Sequence, residues 1–317
     1  MAMDAVRKIY DHLTAKAKPG KRNIDLFIHS NGGDGTVPWR LVTLIREFAN
    51  EFTVLVPHRA FSAATLTALG ADSILMHPMG VLGPTDPTVQ NQFNPKDPNN
   101  PNQNLGISVE DVTAYIALVK EDAGIQHEDE MALAFGHLAS GVHPLALGNV
   151  KRSLSQSRMM ARKLLSLHMD AKSGQQIDDI VDNLTSKLFY HGHPINRSEA
   201  QNQVGIPTVE NPDSEIESLM WELYLHYERD AKMELQFSPS YEFLESATWP
   251  SKPGSGQGQW SSTGPKTAKL VYIESESSTD VMEIEYRVTG VIKHGVIKHD
   301  GQVTYSTIIS KQGWKKE

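Results

Sequence analysis

The sequence predicts an α/β protein organised around a mostly parallel sheet, and three observations carry that expectation. Short apolar runs (Ile24 to Ile28, Phe52 to Val56, Ser73 to Met76) alternate with helical stretches (Val37 to Asn50, about Ser62 to Gly70), the order that βαβ units impose. The two most distinctive turns, Ile28-His29-Ser30-Asn31-Gly32-Gly33 and Ala60-Phe61-Ser62-Ala63-Ala64-Thr65, fall where such strands end. The chain has 317 residues, 39% hydrophobic and 21% charged, enough for one large α/β domain with a small appendage. Crossovers in such a sheet are right-handed, and ligands gather beyond the C-terminal strand ends.

The elements follow in order. Asp4 to Ala17 reads as a short helix stopped by Lys18-Pro19-Gly20. After the alternating region, Thr88 to Leu105 is rich in Asn, Pro and Gln without an apolar period, which predicts a mobile surface excursion. Val109 to Ser186 is helical in pattern, with stripes at Val112, Tyr115, Ile116 and Val119 and at Met160, Leu164, Leu165 and Leu167. The turn His191-Gly192-His193-Pro194 precedes a short helix at Ser198-Glu199-Ala200 and then Gly205-Ile206-Pro207; Ser214 to Glu228 is one more helix. Trp249 to Gly256 has linker composition. Beyond it Leu270 to Ile273, Met282 to Val288 and Val303 to Ile309 alternate like strands. The division expected is 1–235 for the main domain, 236–266 for a linker and 267–317 for a β-rich appendage. The repeated Gly-Val-Ile-Lys-His (Gly290 to His294, Gly295 to His299) is too short for a solenoid unit, and His294 and His299 read as strand-edge residues rather than metal ligands.

Composition excludes several classes. A net charge of −8 and a pI near 5.9 disfavour nucleic-acid binding. No run reaches the roughly 18 to 20 apolar residues of a membrane span, and Met1 to Lys21 lacks the apolar core of a secretory signal. Without cysteine there is no disulfide framework, thiol nucleophile or thiolate metal site. The expectation is a cytoplasmic protein, or one docked at a membrane periphery, with no metal and no cofactor.

Read alone, Gly32-Gly33 is a βαβ turn and Ser62 a helix cap. Read together, they suggest more. A Gly-Gly turn lets backbone N–H groups approach a ligand with no Cβ in the way. A serine at a strand-to-helix turn holds its hydroxyl near a helix N-terminus, where negative charge is stabilised. Those are an oxyanion hole and a nucleophile, the minimum for acyl transfer.

From about Ile24 to Val209 the chain resembles the serine dehydrogenase proteinase family, a relative of signal peptide peptidase A within the Clp protease/crotonase superfamily. Four anchors carry the resemblance in order: His29-Ser30-Asn31-Gly32-Gly33; Val56-Pro57-His58 leading to Ser62-Ala63-Ala64-Thr65; Leu82-Gly83-Pro84-Thr85-Asp86-Pro87; and His191-Gly192-His193-Pro194-Ile195 with Glu199-Ala200 and Gly205. The resemblance implies crotonase-type stacked βαβ units and a homo-oligomer. It implies Ser62 as nucleophile, with Gly32, Gly33 and Ala63 forming the oxyanion hole. Departures are Asn31 where the family has proline, Ala63-Ala64 where Gly-Gly is common, and Gly192 where the family carries an acid.

The base that would take the Ser62 proton stays open among three residues. Lys151 lies where the resemblance suggests basic residues, Lys120 has a sequence separation from Ser62 that suits a dyad, and His191 falls near the third triad position of Clp-type relatives. Asp86 reads as a brace for its Pro-rich turn. The expected function is an ATP-independent, signal peptide peptidase-like serine peptidase acting on peptide or protein substrates. The alternatives on the same fold are a crotonase-like acyl-thioester enzyme and a non-catalytic oligomeric scaffold.

Overall fold

The structure is a computed structural model and describes residues 1–15, 20–98, 102–186, 192–235, 237–246, 259–292 and 303–317. His191, the linker residues 247–258 and the His294/His299 repeat lie outside the described residues. Contacts divide the chain into two compact units, Met1–Val6 with Lys18–Trp221, and Arg7–Ala17 with Glu222–Glu317.

In chain order the elements of the first part are α1 (Met3–Ala15), β1 (Arg22–Phe27), α2 (Val37–Phe48), β2 (Ala49–Val56), β3 (Arg59–Ala60), α3 (Ala63–Leu69), β4 (Ser73–Met76), β5 (Val81–Leu82), β6 (Thr88–Val89) and β7 (Ile107–Ser108). They continue with α4 (Val109–Ala117), α5 (Glu128–Gly141), α6 (Pro144–Leu165), α7 (Gly174–Ser186), β8 (Ile195–Asn196), α8 (Arg197–Glu199), β9 (Val209–Glu210) and α9 (Ser214–Asp230). The principal sheet of the first unit has the order β1-β2-β4-β9, every pair parallel. Alternation in β2 explains its seat: Phe52, Val54 and Val56 are fully buried while the residues between them are not. Each such side chain contributes about 1.5–3 kcal/mol of burial. A proline in the first turn of α2 starts that helix without wasting a donor, and Leu41, Val42 and Ile45 bury one stripe of it. All seven residues of α3 are buried. The helix packs between α2 and α6, and its C-cap Gly70 lets the chain pass: a Cβ there would stand 2.7 Å from Val42 Cγ1 and 3.0 Å from Leu164 Cδ2.

A second, smaller sheet sits beyond the principal strands. β3 pairs in parallel with β5, and β5 pairs antiparallel with β8. These two-residue strands are absent from the sequence reading because they are too short to show a period. The Asn/Pro-rich segment is also more structured than its composition predicts. β6 and β7 close its ends as an antiparallel pair, and buried Asn94 donates to the carbonyls of Val89 and Leu105 at 2.7 and 2.8 Å. A side-chain amide does there what an apolar core does elsewhere.

The second unit holds α10 (Pro239–Ser246), β10 (Gln259–Ser262), β11 (Lys266–Ser275), β12 (Ser278–Ile292) and β13 (Val303–Lys316). β12 is central, with β10 and β11 along one edge and β13 along the other, all antiparallel. Within the stretch read as linker, Pro239–Ser246 is therefore helical and Gln259–Ser262 is a strand. Phe243 of α10 is fully buried on Tyr286 and Val288, directly over Gly290, where a Cβ would come within 2.6 Å of its ring.

His12, Asp280, Lys8 and Ser275 form a brace in this unit. The His12 ring meets Ser275 Oγ through Nδ1 (2.8 Å) and Asp280 Oδ2 through Nε2 (3.1 Å), and Lys8 Nζ lies 2.8 Å from Asp280 Oδ1. These are the residue types of a catalytic triad with the ring nitrogens exchanged relative to that arrangement and the carboxylate already neutralised by lysine. It is a clasp between helix and hairpin. Burial by itself raises the Asp280 carboxyl, but the bonds and charges of Lys8 and His12 outweigh it and hold it below its ordinary value. A depressed carboxylate stabilises the fold fully above its unfolded pKa of about 4 and loses that stabilisation as pH falls through the folded value. Thermal midpoints of the full chain measured from pH 6 downward (at about half-unit steps) should drop in the acid range less steeply for Asp280→Asn than for the native chain. Equal slopes would show that the clasp carries no proton linkage.

Candidate active site

Main-chain pairing brings the two distinctive turns together. Ser30 forms a parallel bridge with Ala60: its N–H donates to Arg59 O (2.9 Å), and its carbonyl accepts the Phe61 N–H (2.9 Å). The turn that follows Ser30 thereby lies on the turn that carries Ser62. Contact is close. A Cβ on Gly32 would stand 2.7 Å from Phe61 O, 2.8 Å from Ser62 Cβ and 3.2 Å from Ala63 N. Only glycine permits that approach, and the backbone confirms the need, with φ of +97° at Gly32 and +141° at Gly33.

Ser62 occupies the N-cap position of α3, yet its side chain makes no capping hydrogen bond. The cap reading of this serine fails on that point. Its backbone sits at φ 53°, ψ −112°, outside the regions open to ordinary L-residues. Such strain costs about 1–3 kcal/mol and persists where surrounding structure over-determines it. Here Leu66 N–H bonds Ser62 O (3.0 Å) and Ala64 N–H bonds Phe61 O (2.9 Å), fixing the turn from both sides. A strained backbone at a strand-to-helix turn is a feature shared with the nucleophile elbow of other hydrolase folds.

Two hydroxyls organise the surroundings. Thr65, one turn into α3 and fully buried, places Oγ1 2.6 Å from Ala60 O and 2.9 Å from Gly83 O, and accepts the Gly83 N–H at 3.0 Å. It ties α3 to β3 and to the residue that follows β5. Ser30 Oγ accepts the Gly32 N–H at 3.0 Å. That N–H is therefore engaged, whereas the N–H groups of Gly33 and Ala63 make no hydrogen bond among the described residues. Asn31, at the position where the resemblance expects proline, is held by Arg59 Nη1 (3.2 Å). Asp34 closes the turn by accepting from Thr36 N–H and Oγ1 at 2.8 and 2.7 Å, bonds that lower its carboxyl pKa. The Met1 main chain runs along the same turn: Asp34 N–H donates to Met1 O at 3.0 Å, and the Met1 amine donates to Gly32 O.

Lys120 and Lys151 are both exposed, and no hydrogen bond joins either to Ser62 among the described residues. His193, from the same turn as His191, bonds Glu199 Oε1 at 2.7 Å. Asp86 is fully buried, in keeping with a brace. His29 and His58, members of the first two anchors with no catalytic role assigned there, stack at 5.5 Å between ring centroids just beyond the ends of β1 and β2. Their pairing depends on strand register, which periodicity does not report. Among the described residues no group of three His, Asp or Glu is placed to hold a metal ion, and no helix is long and apolar enough to cross a membrane.

Residues 3–133 match the family described as ClpP-like SDH-type serine proteinase. The chain is also similar to two uncharacterized proteins of Methanocaldococcus jannaschii. One is 27% identical over 209 residues, covering 66% of this chain and 61% of the relative. The other is 38% identical over 71 residues, covering 22% of this chain and 24% of the relative. The chain thus matches less than two thirds of the length of either.

Proposed function

From the match of residues 3–133 to the ClpP-like SDH-type serine proteinase family, we propose that the chain is a serine peptidase of the signal peptide peptidase-like kind, independent of ATP, with Ser62 as nucleophile. The observation that carries this reading is the seat of Gly32 against Ser62 and Ala63 N. Ser62 Oγ adds to the scissile carbonyl carbon and its proton passes to a base. The negative charge that develops on the carbonyl oxygen is met by the N–H groups of Gly33 and Ala63. Each such fixed donor lowers the barrier by ~3 kcal/mol. Collapse of the tetrahedral intermediate expels the amine and leaves an acyl-Ser62, which water then hydrolyses. Lys120, Lys151 and His191 remain the candidates for the base, which closes on the hydroxyl in the substrate-bound, assembled protein.

Gly32 O and Asp34 N–H offer a main-chain acceptor and donor of the kind a peptide backbone pairs with. Self-assembly belongs to the proposal, as does a cytoplasmic or membrane-peripheral location.

A fluorophosphonate probe tests it on the full chain in its native assembly. Labelling is expected on the native protein, mapped to Ser62, and absent from Ser62→Ala. No labelling of the assembled native protein would overturn the peptidase reading and leave the scaffold.

A further inference from the structure

We propose that Ser30 is a positioning residue for the oxyanion hole, an inference that rests on the peptidase reading above. Three of its groups act on the site at once. Its N–H and carbonyl pair with Arg59 O and Phe61 N–H, both at 2.9 Å, and so lock the glycine turn to the segment that delivers Ser62. Its hydroxyl, 3.0 Å from Gly32 N, turns that N–H back onto the strand. Consecutive glycines have several accessible peptide orientations. With Gly32 N–H captured, the Asn31–Gly32 peptide plane is held and Gly32 stays seated against Ser62 and Ala63 N, which narrows the directions open to the Gly33 N–H that follows.

Without the hydroxyl, the main-chain bridge still brings the turns together, so substrate binds. What is lost is the direction of one donor at the moment charge develops. Removal of a whole oxyanion donor costs about a hundred- to a thousandfold in kcat. Release of the turn costs part of that, about ten- to a hundredfold, because the correct orientation stays partly populated. A loss confined to the transition state lowers kcat and kcat/KM together and leaves KM within about twofold.

The experiment compares the native full chain with Ser30→Ala, Ser30→Thr and Ser30→Cys on one peptide substrate. It also measures binding of a peptidyl aldehyde, which forms a tetrahedral adduct on serine, and of the corresponding peptidyl alcohol, which does not. Ser30→Ala is expected to lose about ten- to a hundredfold in kcat, with KM little changed. Its aldehyde affinity falls in step and its alcohol affinity stays native. Ser30→Thr keeps the acceptor and restores kcat, and Ser30→Cys, a weaker acceptor of similar size, falls between. Native kcat in Ser30→Ala, equal weakening of aldehyde and alcohol, or failure of Ser30→Thr to restore kcat would each overturn the positioning role. Should Ser30→Ala fail to fold, the ordering of the threonine and cysteine variants decides the question. An inert native chain would overturn the peptidase reading itself, and this inference with it; an active native chain with an indifferent Ser30 would overturn only the inference.

Discussion

Gly32→Ala should abolish peptide hydrolysis, lowering kcat/KM by about a thousandfold or more, the scale of losing the oxyanion hole. The reason is steric and local. The new methyl would lie 2.7 Å from Phe61 O, 2.8 Å from Ser62 Cβ and 3.2 Å from Ala63 N. The two nearest atoms are at distances Cβ atoms do not tolerate, and neither is the end of a flexible side chain. The turn must therefore withdraw from Ser62, which separates the donors from the nucleophile. A φ of +97° adds about 1–3 kcal/mol of backbone strain for alanine. Hydrolysis assays together with a urea midpoint check both halves. Activity within tenfold of native would refute the close approach. At Gly20, which also has positive φ (+106°) but open space around it, alanine should cost stability without the loss of activity.

Ser62→Gly should abolish hydrolysis and yet be more stable than Ser62→Ala. In ordinary secondary structure alanine is favoured over glycine by about 0.5–1 kcal/mol. At φ 53°, ψ −112° the order reverses, since glycine alone adopts that conformation without strain. The reversal should be about 1–2 kcal/mol, read as a higher thermal midpoint for the glycine variant. The native serine then holds strain for the sake of presenting its hydroxyl, the trade between stability and activity that strained sites make. If the alanine variant proves the more stable, the elbow conformation is not enforced by the fold.

Legibility of the fold followed element length. The runs at Phe52–Val56 and Ser73–Met76 were visible because several residues repeat one period over a buried face, and the helix at Ala63–Leu69 because the helix formers Ala and Leu dominate it. The pairs Arg59–Ala60, Val81–Leu82 and Ile195–Asn196 were not, because two residues have no period; their pairing is decided by partners far along the chain. Pro239–Ser246 was hidden for another reason. Its seat comes from one ring, Phe243, on a glycine of the opposing strand, and no local pattern announces that. Asn94 shows the converse, a polar residue at the centre of a loop that composition marks as featureless.

The candidate site divides along the same line. By itself the sequence determined the parts: a glycine pair at one strand end, a serine at a strand-to-helix turn at another, no thiol, and the order of anchors shared with a family. Chemistry of that kind is written in residue type and neighbour, so it survives without coordinates. Tertiary structure alone decided how the parts are used. The Ser30–Ala60 bridge sets Gly32 on Ser62, the Ser30 hydroxyl occupies the Gly32 N–H, and Ser62 is strained rather than capping. It also leaves Lys120 and Lys151 exposed while stacking His29 on His58. The physical reason is that a hydrogen bond's partner and a backbone's strain are set by register between strands about thirty residues apart, as at Ser30 and Ala60, and single-chain periodicity carries no information about register.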